Sequence, residues 1–395
     1  MTSRKLASYY EVPKLKDKET TGADELEFLY EKTQDEVFGK TLELRRMDTI
    51  LNNYIVNWEP QKDGRVRTQW GFKAASGQID SRRPNVLNIS KHSALGQRFR
   101  RIIVAPSGYC LMEFDKKSFH VATLGYLAND RNYLRFASLD PHSIFTSYIM
   151  PPSWGGAISF NLPDSEILGR CKEVKEHSKR DKVHTGIDLR QDTAKPCVLG
   201  NQLGLGPRKL WYKNRRAIRD EGQARELQQV LAGMFPKVES WKEWIIDLAA
   251  RQTYLVDEWG KVQFFYEVYS WSKNKFTNRW ERRRTDEAEK VLAFRVQGIA
   301  FGMLKYEHRL IEEKGWNEGY NWINTVHDSQ VDLPLITKRD RCYENMTSIM
   351  NSPCPRLVNE ATGPNGLQVR VEASYGSNLA DFDKERNPEG MREIK

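Results

Sequence analysis

Several classes of protein are excluded by what this 395-residue sequence lacks. It has no uncharged apolar run long enough to span a bilayer, and no apolar segment follows its basic first residues. Its five cysteines are scattered, without a CxxC pair or a neighbouring histidine cluster. This pattern predicts reduced thiols and argues against a disulfide framework or a zinc site. The sequence therefore predicts a soluble, cytoplasmic protein with no membrane partner.

Positive charge is what the sequence has in excess, with a formal net charge of +9. Such a balance favours a polyanionic partner. Arginine and lysine concentrate in three segments that also contain tryptophan, tyrosine or phenylalanine, at residues 98–101, 207–216 and 279–284. Basic groups neutralise phosphates and aromatic rings stack on bases, so the three segments together favour nucleic acid. For any one segment, a solvated helix face over core aromatics is the alternative interpretation.

The first sixty residues have helical periodicity. Asp24 is predicted to cap a first helix, and a second helix carries apolar residues at three- and four-residue steps. These residues are Leu44, Met47, Leu51 and Tyr54.

Short strands are predicted at 65–68, 102–104 and 109–114, with a turn at 106–108. From residue 119 to about 305 the pattern is mainly helical. One apolar stripe in this region is expected to belong to the core and consists of Trp241, Trp244, Ile245 and Leu248.

The last hundred residues return to strands. A hairpin is predicted from 322–326 and 330–333, and a further strand at 367–372 precedes a polar tail that is expected to be frayed. Strands, then many helices, then strands again indicate an α+β fold.

Two aspartates occupy positions that suit metal chemistry. Asp115 ends an apolar strand, and Asp328 lies at the tip of the predicted hairpin. Carboxylates at the ends of neighbouring strands can point to one place, where they suit hard cations such as Mg²⁺. Two such ions about 4 Å apart can activate a hydroxyl and stabilise a leaving oxygen. An aspartate at a strand end is more often a turn cap, so this interpretation depends on the surrounding pattern.

That surrounding pattern resembles the family A DNA polymerases, and the resemblance is collinear over nearly the whole chain. The segments, in order, are a primer–template segment at 76–89 and its continuation at 96–106, motif A at 115–130, motif B at Lys195, Gly200 and Gly204, a template-side motif at 297–298, motif C at 325–329, and a closing palm strand at 369–372. The resemblance implies a right-hand architecture with an antiparallel palm sheet, helical fingers and a partial helical thumb. The expected divisions are thumb 1–58, palm 59–140, fingers 141–300 and palm 301–395.

The resemblance also implies roles for individual residues in a DNA polymerase that takes dNTPs and a primer–template. Asp115 and Asp328, with the backbone carbonyl of Lys116, are expected to hold two Mg²⁺ ions, for which Mn²⁺ can substitute. Lys195 is expected to contact the triphosphate and protonate the leaving pyrophosphate, and His327 to support the primer terminus.

Further residues are assigned to substrate binding by the same resemblance. The expected nucleotide-binding residues are Lys195, His120, Arg190, Gln191, Leu199 and Leu203. The expected DNA-binding residues are Gln78, Asn85, Asn88, Arg98, Arg100, Arg101 and Gln297.

The chain departs from the family pattern around the nucleotide. His120 replaces the glutamate that excludes a 2′-hydroxyl, and Leu199 and Leu203 replace an aromatic pair. Gln78 replaces an arginine of the primer groove, and Ser329 follows the motif C aspartate where a glutamate is common. The metal site is intact, so activity is predicted with altered sugar selection. The alternatives are a single-subunit phage-type RNA polymerase and a non-catalytic nucleic-acid-binding subunit.

The resemblance places the start of this chain just after the first thumb helix, since residues 14–22 resemble the loop beyond that helix. No proofreading exonuclease domain is expected upstream. A second polypeptide is expected to supply the missing helix and an exonuclease, which would make the enzyme a split polymerase. Analogy with compact, divergent members of the family suggests a bacteriophage source, and the enzyme would then act in the host cytoplasm. A segment cut from a longer chain is the alternative.

Overall fold

The computed structural model describes residues 22–71, 78–91, 93–273, 277–316, 321–326 and 328–394. The helices are α1 (Ala23–Thr33), α2 (Glu36–Ile50), α3 (Ala94–Arg100), α4 (Phe119–Leu127), α5 (Arg131–Ser138), α6 (Pro141–Ile149), α7 (Asp164–Thr185), α8 (Lys195–Gln202), α9 (Pro207–Lys213), α10 (Glu221–Met234), α11 (Pro236–Gln252), α12 (Asp286–Glu313) and α13 (Arg339–Met350). The strands are β1 (Gln69–Gly71), β2 (Asp80–Arg82), β3 (Leu111–Lys116), β4 (Tyr254–Val256), β5 (Val262–Phe264), β6 (Tyr269–Lys273), β7 (Trp280–Arg284), β8 (Trp322–Val326), β9 (Ser329–Asp332), β10 (Val371–Gly376) and β11 (Arg392–Glu393). None of the described helices is long and apolar enough to cross a membrane. The predicted α+β class is confirmed.

The central sheet has the strand order β11-β10-β3-β9-β8, and its neighbours are antiparallel. β3 lies in the middle and is buried along most of its length. Met112 and Phe114 face the main core, whereas Leu111 packs with Val331 in a smaller core on the other face. An apolar run of this kind is what a strand covered on both faces requires.

The main core joins the helices to one face of the sheet. Its aromatic centre is formed by Tyr133, Phe136 and Phe235, whose ring centroids lie 4.8 Å apart for Tyr133–Phe235 and 4.9 Å apart for Phe136–Phe235. α12 runs through this core for most of its 28 residues. All five cysteines are buried free thiols.

A buried ion pair ties β3 to α12. The Lys116 ammonium donates to Glu307 Oε1 at 2.7 Å and also to the carbonyl oxygens of Met350 and Val369. The side chains of Lys116 and Glu307 are 0% and 3% exposed. Burial raises the pKa of Glu307 to about 7, although the nearby Lys116 opposes this shift. The sheet is therefore anchored to the helices by charge as well as by apolar packing.

α1 and α2 form a helical pair at the start of the described chain. They bury Leu26, Leu29, Phe38 and Leu42 against one another. Gly22 occupies the N-cap position, so Asp24 lies in the first turn of α1 and the predicted Asp24 cap is wrong. α2 continues into a π-helical turn at Leu51–Ile55.

Two of the predicted strands are wrong. Residues 65–68 are irregular backbone that follows a turn at 61–64, where the Gln61 N–H donates to the Arg65 carbonyl and the Arg67 guanidinium pairs with Asp63 at 2.5 Å, and β1 begins only at Gln69. At 102–104 the backbone continues the last turn of α3 through bonds to Phe99 and Arg100, and only an isolated bridge forms at Val104.

The C-terminal part also differs from expectation. The strand predicted at 367–372 begins only at Val371. Leu367 instead makes an isolated bridge to Cys354. The tail is not frayed: β11 pairs with β10, and Met391 is buried beside the sheet. Apolar residues spaced along the polar tail account for this packing.

The region predicted as mainly helical contains two hairpins between α11 and α12. β4 pairs with β5, and β6 pairs with β7. Leu255, Phe265 and Val268 pack against α11 and α12 in a separate core. Trp244, which was expected in the core, is 53% exposed.

Replacing Lys116 with alanine should lower the free energy of unfolding by about 3–5 kcal/mol, because Glu307 would be left buried without its partner. Lys117→Ala is the matched control: Lys117 pairs with Glu372 at 3.0 Å, but both side chains are about half exposed. Its loss should cost at most about 1 kcal/mol. Urea unfolding followed by tryptophan fluorescence measures both. Equal losses for the two variants would contradict the anchoring role of Lys116.

Candidate functional site

Asp115 and Asp328 lie at the same edge of the central sheet. Asp115 is opposite Ser329 in the β3–β9 ladder, and Asp328 is the residue directly before Ser329. The Lys116 N–H donates to the Asp328 carbonyl oxygen at 3.3 Å. The structure thus brings together the two aspartates that the sequence separates by more than two hundred residues. His327, between β8 and Asp328, lies outside the described residues.

The electrostatics of this edge reflect the closeness of its carboxylates. Burial, with added repulsion from Asp328 and Glu113, raises the pKa of Asp115 to about 7. Repulsion of this kind is relieved when a cation binds between the carboxylates. Across the described ranges no group of three or more His, Cys, Asp or Glu side chains forms a metal site. Two carboxylates fit Mg²⁺, which keeps its remaining positions for water and substrate phosphates.

Lys116 contributes no side chain to this edge. Its ammonium points to the opposite face of the sheet, where Glu307 binds it. Any contact that Lys116 makes with a metal would therefore come from its backbone.

Glu113 is a neighbour of the site that the sequence reasoning missed. It lies two residues before Asp115 on the same strand face, and it is buried. Lys91 and Arg100 lie 3.3 and 3.8 Å from its carboxylate, and the Ser329 hydroxyl donates to it at 3.4 Å. The two-residue period of β3 is the signal that identifies it.

Lys195 begins α8 directly after a π-helical turn at Leu189–Ala194. Asp188 holds this turn by accepting bonds from the Arg190 and Gln191 N–H groups at 3.1 and 3.0 Å. Lys195 is half-buried. Burial, with added repulsion from Arg190 and then from Lys195, lowers the pKa of His142 to about 4. The bonds to Asp188 fix the turn that leads into the helix carrying Lys195.

Arg190 has partners that the sequence did not predict. Its guanidinium donates to Ser143 Oγ at 2.7 Å and to Asp140 at 2.9 Å. Gln191, in contrast, is exposed. A nucleotide contact by Arg190 therefore has to compete with an ion pair that is already formed.

The remaining residues of the expected nucleotide pocket lie on α4 and at the end of α8, two helices that contact each other. His120 is in the first turn of α4, with its ring parallel to that of Phe119. Leu199 is exposed and Leu203 is half-buried. Gly204 ends this segment with φ of 69°, and a Cβ there would lie 2.7 Å from Leu292 of α12, so glycine permits the close approach.

The three arginines expected to contact DNA do not share one face. Arg98 and Arg101 are exposed, but Arg100 is 3% exposed and donates to the Leu379 carbonyl at 3.0 Å. Helical geometry explains this, since residues two positions apart point to opposite sides. The prediction that Arg100 binds DNA is wrong, because its guanidinium is committed to Leu379 and Glu113.

The amide side chains expected along the duplex have different environments. Asn85 Oδ1 accepts bonds from the Leu87 and Asn88 N–H groups at 3.0 and 3.2 Å, so it shapes its own loop. Asn88 is exposed, and its carbonyl accepts a bond from Tyr54 at 2.7 Å. Gln78 and Gln297 are half-buried, and the residues just before Gln78 lie outside the described ranges.

The chain is similar in sequence to known DNA polymerases. The family model described as DNA polymerase family A matches residues 3–150. The thermostable DNA polymerase I of Thermus thermophilus is 25% identical over 369 residues, covering 91% of this chain and 38% of that protein. DNA polymerase I of Deinococcus radiodurans is 29% identical over 339 residues, covering 83% of this chain and 31% of that protein. The chain thus spans less than two fifths of the length of these relatives.

A solved structure has the same fold. It is the POL domain of Pol1 from M. smegmatis in complex with DNA primer-template and dNTP, and it matches 95% of this chain and 60% of its own with a TM-score of 0.68 at 21% identity. The chain is thus similar in sequence to DNA polymerases I, matches the family A model over residues 3–150, and has the fold of a polymerase domain.

Proposed function

We propose that this protein is a template-directed DNA polymerase that adds deoxynucleoside monophosphates to a primer 3′-hydroxyl by two-metal phosphoryl transfer. The observation that carries the proposal is the meeting of Asp115 and Asp328 at one edge of the sheet. Support also comes from the relatives, which are named DNA polymerase I.

In this proposal Asp115 and Asp328 bind two Mg²⁺ ions, for which Mn²⁺ can substitute. Bound Mg²⁺ supplies activation of the primer hydroxyl and neutralisation of the leaving pyrophosphate. Lys195 contacts the triphosphate and donates a proton to the pyrophosphate, because a cation on a fixed helix start stabilises charge that develops there. His327, beside Asp328 in the sequence, supports the primer terminus.

Five residues are assigned to the primer–template duplex. Arg98, Arg101 and Asn88 are exposed and are assigned to the duplex. Gln78 and Gln297 are assigned to the same duplex. Their contacts with phosphate and base edges would position the primer–template without selecting its sequence.

The nucleotide pocket is assigned to the α4–α8 contact, with His120 on α4, Leu199 and Leu203 on and at the end of α8, and Gln191 in the π-helical turn before α8. The M. smegmatis domain was solved with a dNTP and a primer-template, which supports the same classes of substrate here.

We also infer that the enzyme is a split polymerase. In this proposal a second polypeptide carries the exonuclease and supplies a helix that packs on α2 and on the π-helical turn after it. The support is an apolar face that the described residues leave open, with Leu44, Met47 and Leu51 at 67%, 51% and 47% exposure. A contiguous apolar face of this kind generally marks an interaction site.

Asp115→Asn and Asp328→Asn should each abolish primer extension while primer–template affinity stays within a few-fold of wild type. Metal ligands act mainly in the transition state, whereas duplex affinity comes from phosphate contacts. Asp340→Asn is the matched control: Asp340 pairs with Arg339, which stacks on Tyr375 on the opposite face of the sheet. Single-turnover extension measures the effect. Either variant retaining more than about a tenth of wild-type turnover, a loss below about 1.4 kcal/mol, would contradict the metal-site assignment.

His120→Ala should reduce discrimination against ribonucleotides further, from a level already weaker than is usual in the family. The imidazole retains some bulk beside the sugar, so its removal should have a partial effect. Extension with dNTPs and rNTPs offered separately gives the ratio of kcat/KM values. An unchanged ratio would show that His120 does not exclude the 2′-hydroxyl. A wild-type preference for rNTPs would instead favour the RNA polymerase alternative.

A further inference from the structure

The β6–β7 hairpin, called here the ribbon (residues 269–273 and 280–284), has no role in the site described above. Its ladder pairs Tyr269 with Arg284, Trp271 with Arg282, and Lys273 with Trp280. Residues directly opposite in an antiparallel pair point to the same face. Aromatic and cationic side chains therefore alternate on one face of the ribbon, and the serines of β6 lie on the other.

The two tryptophans of this face are unusually open to solvent. Trp271 and Trp280 are 67% and 66% exposed, although they are diagonal neighbours on one surface. Single exposed apolar residues are ordinary, but a paired aromatic surface flanked by cations is characteristic of a binding site. The ribbon therefore presents two ring faces that the described parts of the chain do not cover.

The charges of the ribbon favour a polyanion. Arg282 stacks on the Tyr269 ring at 3.5 Å and pairs with Asp247 at 3.5 Å, and Arg284 pairs with Glu243. These contacts tie the base of the ribbon to α11. Lys273 and Arg279, near the tip, are exposed and have no ion pair among the described residues.

The position of the ribbon relates it to the template. β7 leads into α12 at Asp286, and Gln297 lies eleven residues further along that helix. At 1.5 Å per residue, the ribbon base is about 16 Å along the helix axis from Gln297. An unpaired template strand that passes Gln297 could therefore reach the ribbon within a few nucleotides.

We propose that the aromatic face of the ribbon binds the unpaired template strand ahead of the primer terminus. Bases stack on Trp271 and Trp280, and the phosphates are neutralised by Lys273 and Arg279. This combination suits single-stranded nucleic acid of any sequence, because every base has a ring face to stack. The assignment of the strand as template rests on the proposed polymerase function.

The test uses fluorescent primer–templates with one duplex and 5′ template overhangs of about two or about twelve nucleotides, lengths chosen to lie below and within usual single-strand site sizes. Anisotropy titrations of the full chain should show about tenfold tighter binding of the longer overhang, which one or two stacked bases can supply. Trp271→Ala/Trp280→Ala should remove this advantage. Trp271→Phe/Trp280→Phe should keep most of it, since the rings remain.

Arg283→Gln is the matched control, because Arg283 lies on the opposite face of the ribbon. It should leave the ratio of the two affinities unchanged within about twofold. Equal affinities of the wild-type chain for both overhangs, or a full advantage in the double alanine variant, would overturn the proposal.

Addition of a single nucleotide on the short overhang separates this proposal from the proposed function. The ribbon variants should match wild type there, because the short strand does not reach the ribbon. A wild-type chain that extends no primer would refute the polymerase function, while the ratio of overhang affinities would still decide whether the ribbon binds the strand.

Discussion

The alternation of side chains along β3 is the constraint on which the site depends. Glu113 and Asp115 project to one face, and Phe114 and Lys116 to the other. A shift of one residue would exchange these faces and place carboxylates in the apolar core. The Lys116–Glu307 ion pair opposes such a shift, because both charges are buried and need each other. The position of Asp115 is therefore set by the residue that follows it.

The end of β3 brings negative charges together, although their mutual repulsion does not stabilise the fold. Asp115, Asp328 and Glu113 repel one another, and this repulsion adds to burial in raising the pKa of Asp115. Lys91 and Arg100 compensate the Glu113 carboxylate, but neither bonds to Asp115. A carboxylate whose pKa is raised by burial and by neighbouring charges, as that of Asp115 is, is typical of functional sites. Divalent cations would turn this unfavourable arrangement into a favourable one.

Local pattern was sufficient to predict the elements that form the site. The apolar run before Asp115 and the alternation on both sides of Asp328 indicated β3 and the β8–β9 hairpin, and both are present. The contact between these strands could not be derived from spacing alone. It was expected only because the motifs resemble a family in which the two aspartates meet.

The errors of the sequence analysis arise from contacts between distant residues. Arg100 reads as one of three surface arginines, but its partner Leu379 lies 279 residues away. The ribbon was recognised only as a basic cluster at 279–284, since β7 is almost entirely charged and β6 alternates aromatic residues with serines and not with aliphatic ones. Glu113 was missed for a different reason. The two-residue period of a strand places it on the same face as Asp115, and the sequence analysis did not apply that period to β3.

The most direct test of this account is electron paramagnetic resonance of Mn²⁺ bound to the protein with a dideoxy-terminated primer–template and the matching dNTP. Two ions held by Asp115 and Asp328 about 4 Å apart should be spin-coupled. The account predicts a coupled pair in the wild-type chain and in Asp340→Asn, and its loss in Asp115→Asn. A coupled pair that persists in Asp115→Asn, or its absence from the wild-type complex, would contradict the claim that these two strand ends form a shared metal site.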